Sequence, residues 1–541
     1  MHFRNNSNKK IIGLTSATAL GISSMIGSGW LFAPYRAAAV AGPASLISWF
    51  IGAVIVILLG LCFAEIAALY PRRGLSAIIP TLSHNIYFAF PFAIANWLGI
   101  VAVIALEADA TIEYLINLFP HIRNILFINT QLTLYGDSFS ILLVILFSLL
   151  NFWGAKTLVK TNNIFAIIKI VIPTFIGIAI IITAFHPTNF TSHSHHFMPY
   201  GVGSILTAIL STGIVVAFNG FQTVISFANE IKQSYRTIPR AIIISVIFTL
   251  CIYILLQAAF IGAMPSKKLI NGWDAIEMYA PIVQIMGIVG LGMLSSIAYF
   301  GATASPIGTA SAFTGTATRM FTAMAINEQM PAYFRKINPT YNISRRALVF
   351  NTGLAIVFLL MFKSWSDLAE VLGLLHIISY LPVPIALWVL RGKISRYKYL
   401  FRLPLGQWVA LILFLFFSYL FTLAKLTIIY EVIIIFSLFL VNFILVAVIN
   451  KNKALMSIFK ELWTLLLYFV LLLAFSILSP SHYSKFNVHL YLVIFVVMMM
   501  FSFFLMLRAS RNDVALLSSS IYLYSLQNDD TQTKEIENDK D

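Results

Sequence analysis

Apolar stretches of roughly 20 residues, the length that crosses about 30 Å of hydrocarbon, recur about fourteen times along this chain. Their approximate limits are 12–35, 43–70, 85–119, 138–154, 162–185, 201–230, 239–263, 281–311, 346–363, 366–390, 404–424, 427–449, 460–479 and 487–507. Of the 541 residues, 60% are hydrophobic and only 10% charged, whereas about a quarter of a soluble globular domain is charged. A polytopic helical membrane protein follows. Two of the stretches are interrupted at matching places, the first at Ile26-Gly27-Ser28-Gly29 and the sixth at Phe218-Asn219-Gly220-Phe221. A backbone break at membrane depth leaves amides and carbonyls unpaired, so it survives only where it is buried in protein or lines a polar cavity. Paired breaks in corresponding positions of two halves point to a substrate site near the bilayer midplane, the arrangement of a secondary transporter.

The net charge of +15 is explained by topology rather than by a nucleic-acid partner, because cytoplasmic loops concentrate Lys and Arg. With the N-terminus inside, the short cytoplasmic segments hold Arg72, Arg73, Lys156, Lys160, Lys232, Arg236, Arg240, Arg335, Lys336, Arg345, Arg346, Arg391, Lys393, Arg396, Lys398 and Arg402. The opposite side holds Arg123, Lys267, Lys268, Lys363, Lys425 and Lys485, with Arg36 near that boundary. An even number of spans then puts both termini in the cytoplasm, in a multi-pass protein of the cell membrane. Cys62 and Cys251, the two cysteines, both fall in apolar spans and offer neither a disulfide framework nor a thiolate metal site. No removable signal peptide is expected. The tail, with Asp529, Asp530, Glu535, Glu537, Asp539 and Asp541, reads as disordered.

Five parts emerge: a cytoplasmic segment 1–11, a first group of five spans over 12–185, a second group of five with a cytoplasmic loop over 186–403, four further spans over 404–510, and a polar acidic tail 511–541. An odd number of helices per repeat inverts the second copy, which permits alternating access. The last four spans read as a packing or oligomerisation layer. Four stretches then carry a family resemblance: Gly27-Ser28-Gly29-Trp30-Leu31-Phe32; Phe63-Ala64-Glu65-Ile66 through Tyr70-Pro71-Arg72-Arg73-Gly74; Ala228-Asn229-Glu230 through Arg236-Thr237-Ile238-Pro239-Arg240; and Thr318-Arg319-Met320-Phe321 through Met330-Pro331 with Arg345-Arg346-Ala347-Leu348. On these the chain resembles the amino acid/polyamine/organocation superfamily across nearly its whole length. Within it, the runs Gly27 to Trp49 and Ile225 to Pro239 are similar to the bacterial aspartate-proton symporter type. One departure is Gly74-Leu75, where a paired glycine is usual. The resemblance implies an all-α, 5+5 inverted-repeat core of the leucine-transporter type, with discontinuous helices one and six and four additional C-terminal helices.

An amino acid presents a carboxylate and an ammonium, and broken helices can receive both. Amides around Gly27, Ser28 and Gly29, at the start of the outer half of span one, point at an anion with a helix dipole behind them. Carbonyls near Ser23, Ser24, Met25 and Ile26, and near Ala217 and Phe218 before Gly220, can accept from an ammonium. Close packing of small residues is the competing account of Gly27 and Gly29; a local backbone role competes for Ser28, and plain packing for Phe218, Phe221 and Trp30. Lys169 lies about 10 Å inside span five, at 1.5 Å per residue. An ammonium there costs about 2.5–3.5 kcal/mol on insertion scales, so a proton that leaves and returns is the reading placed first, and snorkelling to the interface second. The resemblance adds that proton-coupled relatives carry a lysine on this helix where sodium-coupled ones bind an ion between spans one and eight.

Span three carries Glu107, Asp109 and Glu113. Asp109 and Glu113, four apart, share a face; Glu113 is expected to be solvated in an outer vestibule, and Glu107 to be a second proton carrier or a partner for a base. Glu65 and Glu230 are expected to bind arginines and serve gating, and Arg36 to anchor the interface or draw an acidic substrate inward. His193, His195 and His196 read as a solvated loop rather than a metal site, and Asn189-Phe190-Thr191 as a chance glycosylation match. With no phosphate-binding Gly-Lys motif or nucleophile elbow, no cofactor and no enzymatic activity are expected. The reading is an importer of an acidic or polar amino acid, aspartate first, driven by protons rather than sodium. An amino acid/amine exchanger and a permease-like sensor remain as alternatives.

Overall fold

The computed structural model describes residues 12–510 except 72–74, 117–120, 122–124, 129–130, 154, 192–195, 339, 342, 363, 395–399, 452–454 and 481–486. The N-terminal segment, the acidic tail, Arg72, Arg73, Gly74, Arg123, His193, His195, Lys363, Arg396, Lys398 and Lys485 lie outside the described residues, as do the side chains of Lys156 and Lys160. Among the described residues the regular elements are helices apart from one two-residue antiparallel pair, Phe127–Ile128 with Gln131–Leu132. In chain order the helices are α1 (Leu14–Met25), α2 (Gly29–Ala41), α3 (Ser45–Leu69), α4 (Leu75–Ser83), α5 (Ile86–Ile116), α6 (Leu134–Phe152), α7 (Ala155–Thr183), α8 (Gly201–Ser211), α9 (Ile214–Ala217), α10 (Phe221–Ser226), α11 (Ser234–Ala263), α12 (Pro281–Ile288), α13 (Ser295–Ile326), α14 (Arg345–Met361), α15 (Trp365–Tyr380), α16 (Pro382–Lys393), α17 (Gly406–Thr422), α18 (Leu426–Lys451), α19 (Leu455–Ile477) and α20 (Val488–Arg508).

Among the described residues, nine helical runs are long and apolar enough to cross a membrane, fewer than the apolar stretches read from the sequence. The difference has local causes. α2 and α3 run on as one apolar stretch, Gly29–Leu69. Stretches one and six are divided into shorter helices, and most of stretch eight lies in α13, which is long enough but not apolar enough. Side-chain caps fix several starts: Thr133, Ser344, Ser364 and Asn487 accept from the first free amides of α6, α14, α15 and α20, satisfying donors that a helix cannot pair internally.

α5 is the axle of the molecule. Its most apolar window is wholly buried, because α4, α6, α13, α14 and α15 pack around it. α1 sits beside α7, α10, α11 and α13, so the end of α1 is deep inside protein. α18 and α20 leave most of their apolar surface outward, which suits helices facing lipid.

The sixth stretch departs from expectation. The chain turns left-handed at Gly213, with φ of +84°, between α8 and α9. This break lies before the one read from the sequence. At Phe218-Asn219-Gly220 the amides of Asn219, Gln222 and Thr223 bond to carbonyls three residues back at 3.0–3.1 Å. That segment is therefore a tightened turn between α9 and α10 rather than an open gap.

Candidate functional site

The break between α1 and α2 meets the turn between α9 and α10 directly. A Cβ on Gly220 would fall on the backbone of Ser24 and Met25, so only glycine allows the two segments to approach this closely. Several polar main-chain groups freed at the first break have partners of identifiable type. The Ser28 amide donates to Glu107 Oε2 at 2.7 Å. A Cβ on Gly27 would collide with that same carboxyl group. Glu107 thus fills the anion position at the start of α2 that the sequence assigned to a substrate carboxylate.

The carbonyl side is also filled. Lys169 Nζ donates to Ser23 O at 2.6 Å and to Thr309 Oγ1. Tyr253 Oη donates to Met25 O at 3.0 Å. Ser305 Oγ reaches Ile26 O and Gly27 O at 3.0 and 3.1 Å, and Thr309 Oγ1 reaches Ile26 O at 3.2 Å. Lys169 is 0% exposed and bridges α1 to α13, which corrects the snorkelling alternative; its helix is enclosed on this face by α1, α11 and α13. Glu113, expected in a solvated vestibule, is 9% exposed, because α5 is enclosed along its length.

A cavity of about 20 Å³ remains at this point, lined by Ser24, Gly27, Gly29, Glu107, Ala217 and Trp365 among others. It has room for about one water, so the site is closed. Phe218 is fully buried and packs edge-on against Trp49 and Tyr253. Asn219 heads a polar network: its Nδ2 lies 2.6 Å from His376 Nε2, and its Oδ1 accepts from Tyr380 and Gln222 at 2.7 and 2.8 Å.

Over this geometry, comparison with known proteins is decisive. The amino acid permease family model matches residues 12–446. The chain belongs to the amino acid permease family. This permease is 36% identical over 383 residues to a glutamate/serine transporter of Bacillus subtilis, covering 70% of this chain and 71% of the relative. It is 33% identical over 385 residues to the aspartate-proton symporter of the same organism, covering 71% and 73%. A human cationic amino acid transporter is 26% identical over 401 residues, covering 72% and 60%. The family is one of transporters, not enzymes, and the permease is a multi-pass membrane protein that resembles proteins moving amino acids.

Both approaches to the permease's cavity are shut. On one side Trp365 stacks on Phe32 at 4.8 Å between centroids, and Tyr114 meets Phe32 edge-on. Trp365 Nε1 also donates to Ser28 Oγ at 2.9 Å. On the other side, the chain entering α1 pairs with the chain leaving α10: Ile12 N donates to Glu230 O at 3.1 Å, and Lys232 N to Ile12 O at 2.9 Å. There the Arg319 guanidinium covers the Phe227 ring at 4.4 Å. Glu230 is half-buried at this seam.

The remaining sequence candidates lie apart from the cavity. Glu65 is held by Arg391 through two hydrogen bonds of 2.7 and 2.6 Å and by the Leu403 amide at 2.7 Å, tying α3 to α16 and to the start of the extra helices. Arg36 is half-buried against Tyr35. Asn189 is buried, and its amide bonds to Ile261 O and Met264 O, so the glycosylation match is a structural asparagine. Sequence reasoning missed Trp365, Tyr253, Ser305, Thr309 and His376. His376 carried a legible signal, since an ionisable residue inside an apolar stretch marks a functional position by default; hydroxyls and tryptophans are too common to stand out.

Proposed function

We propose that this permease imports an acidic or polar amino acid by alternating access, driven by protons, through a 5+5 inverted-repeat core with both termini cytoplasmic. One observation carries the coupling: the Lys169 amine is wholly buried and ties Ser23 of α1 to Thr309 of α13. A protonated amine holds both helices to α7. Its deprotonation toward the cytoplasm releases at least one of them and resets the cycle. The substrate carboxylate takes the Ser28 amide from Glu107, and the substrate ammonium takes carbonyls at Ser24 to Ile26, Ala217 and Phe218. Glu107, once displaced, is the second proton carrier. Glu65, Glu230 and Arg36 act in gating and at the vestibule, and the four helices after residue 404 support the core.

The relatives' glutamate, serine and aspartate specificities support an acidic or polar substrate. The test is uptake of labelled amino acids into liposomes under imposed proton or sodium gradients. Accumulation of an acidic or polar amino acid should follow the proton gradient, and Lys169→Ala should abolish that response. A Lys169→Ala protein whose uptake still follows the pH gradient refutes the coupling, and uptake that needs internal counter-substrate makes the protein an exchanger.

A further inference from the structure

Away from the substrate site, α13 ends at a cost that its sequence could have avoided. The Glu328 amide bonds back to Ala325 O at 3.3 Å and the Gln329 amide to Met324 O at 2.9 Å, the paired bonds that close a helix through one left-handed residue. That residue is Glu328, with φ of +60°, where glycine would be unstrained. A side chain kept in a strained conformation raises the question of what it does there. The next residue sharpens it. Gln329 is 2% exposed, and neither its Oε1 nor its Nε2 has a partner among the described residues, an expensive state for a buried amide.

Both residues line a cavity of about 440 Å³, within the range of ligand pockets, about 300–1,000 Å³. Its other wall is α18, and that wall is braced: Phe443 stacks on Phe90 of α5 at 3.9 Å, and Phe439 meets Trp97 edge-on at 5.5 Å. α18 turns its apolar surface outward, yet an exposed amide, Asn442, interrupts that surface at the cavity. Asn442 stands six residues before Val448, where the apolar run ends, about 9 Å at 1.5 Å per residue. Glu328 and Arg335, both exposed, lie beyond the end of α13 and line the same cavity. The cavity therefore runs from the hydrocarbon border to the polar face of the membrane.

We propose that this cavity is a binding site for one membrane phospholipid whose headgroup carries both a phosphate and a primary ammonium, a phosphatidylethanolamine. Arg335 takes the phosphate and Glu328 the ammonium, since one charge of each sign at the mouth suits a headgroup with no net charge. Gln329 needs both kinds of partner. Phosphate and ester oxygens only accept, so Nε2 donates to them and Oε1 accepts from the ammonium. A choline nitrogen is fully methylated and has no hydrogen to give. Asn442 meets the ester carbonyls, and Phe439 and Phe443 meet the first methylenes of the acyl chains. A second copy of this chain laying an apolar helix here would cover two charges and leave Gln329 unpaired, which is costly. The lipid would join α13 of the core to α18 of the additional helices. The inference rests on the chain crossing a membrane, not on its substrate or coupling ion.

The full chain, stripped of lipid in detergent, is titrated with phosphatidylethanolamine, phosphatidylcholine or phosphatidylglycerol of identical acyl chains, and native mass spectrometry counts the lipid bound. Phosphatidylethanolamine should bind several-fold more tightly than either of the others. Arg335→Ala should weaken that binding several-fold. Glu328→Gly should abolish the preference over phosphatidylcholine, yet the lipid-free variant should unfold at a temperature at least as high as the native protein, because glycine relieves the left-handed turn. A purely structural role for Glu328 would leave lipid preference unchanged. Both substitutions are at exposed positions, so the folded protein is available for the comparison. Equal binding of the three lipids, tightest binding of phosphatidylglycerol, or a preference that survives both substitutions overturns the proposal. A dimer that forms without lipid and excludes it assigns the cavity to a second copy and overturns it as well.

Discussion

Three glycines at the crossing of the two interrupted stretches should respond to alanine in a graded order. At Gly29 the new methyl would meet Tyr253 Oη at 3.5 Å and Ala217 Cβ at 3.6 Å, ordinary contacts, so the change should stay within about 0.5 kcal/mol. At Gly27 the methyl would overlap the Glu107 carboxyl. That side chain can swing away, at the cost of its hydrogen bond from the Ser28 amide, about 1.5–3 kcal/mol for a bond to a charged group. The loss should place this variant between the other two in stability. At Gly220 the obstacle is the main chain of Ser24 and Met25, which has no rotamer to adopt. Overpacking there should reach or exceed about 3 kcal/mol and force the two segments apart. Thermal unfolding in detergent measures all three. If Gly220→Ala is as stable as Gly29→Ala, or Gly27→Ala is as stable as the native protein, the close approach of these segments is not what holds the site.

Two further outcomes follow from contacts away from the break. Glu65→Ala leaves the Arg391 guanidinium, 5% exposed, buried without its carboxylate, which should destabilise by about 3–5 kcal/mol; replacing both partners with apolar residues should recover most of that in an unfolding assay, and no recovery would mean the pair is needed for more than its charges. Trp365→Phe keeps the ring against Phe32 but removes the donor to Ser28 Oγ, a loss of about 1 kcal/mol. A thiol reagent should then reach Ser24→Cys faster in the Trp365→Phe background, and an unchanged labelling rate would show that the indole hydrogen bond does not hold that side shut.

The sequence made the first break legible because Gly-Ser-Gly inside an apolar run recurs as a matching interruption in the sixth stretch, which close packing of small residues alone does not explain. It showed the interruption at Phe-Asn-Gly-Phe, which lies between α9 and α10, because that run resembles a turn, but not the further one at Gly213, which stands among Ser211, Thr212 and Ile214, where one glycine is an ordinary helix residue. Only its left-handed φ distinguishes it, and that is imposed by tertiary packing. Lys169 could be recognised from depth alone, but its partners Ser23 and Thr309 are 146 and 140 residues away. Glu113 failed for the converse reason: a residue near the end of a span looks solvated until its neighbours are known, and α5 has neighbours on every side.

That protein groups occupy the Ser28 amide and the carbonyls of Ser23, Met25, Ile26 and Gly27 has an energetic consequence. Unpaired main-chain groups at membrane depth cost several kcal/mol each, so an empty site with free amides and carbonyls would be unstable. On the proposed reading the substrate carboxylate therefore replaces that of Glu107 on the Ser28 amide. Like replaces like, and the net gain is the difference between two similar bonds. Glu107→Gln weakens the incumbent, since a bond to a neutral acceptor contributes about 0.5–1.5 kcal/mol against about 1.5–3 for a charged one. The advantage passes to the substrate, so KM should fall by about tenfold for about 1.4 kcal/mol. The same tighter hold slows release, so kcat should fall with it and kcat/KM should change little. Initial rates in liposomes across substrate concentrations separate the two constants. An unchanged or higher KM would show that Glu107 and the substrate do not compete for the same amide.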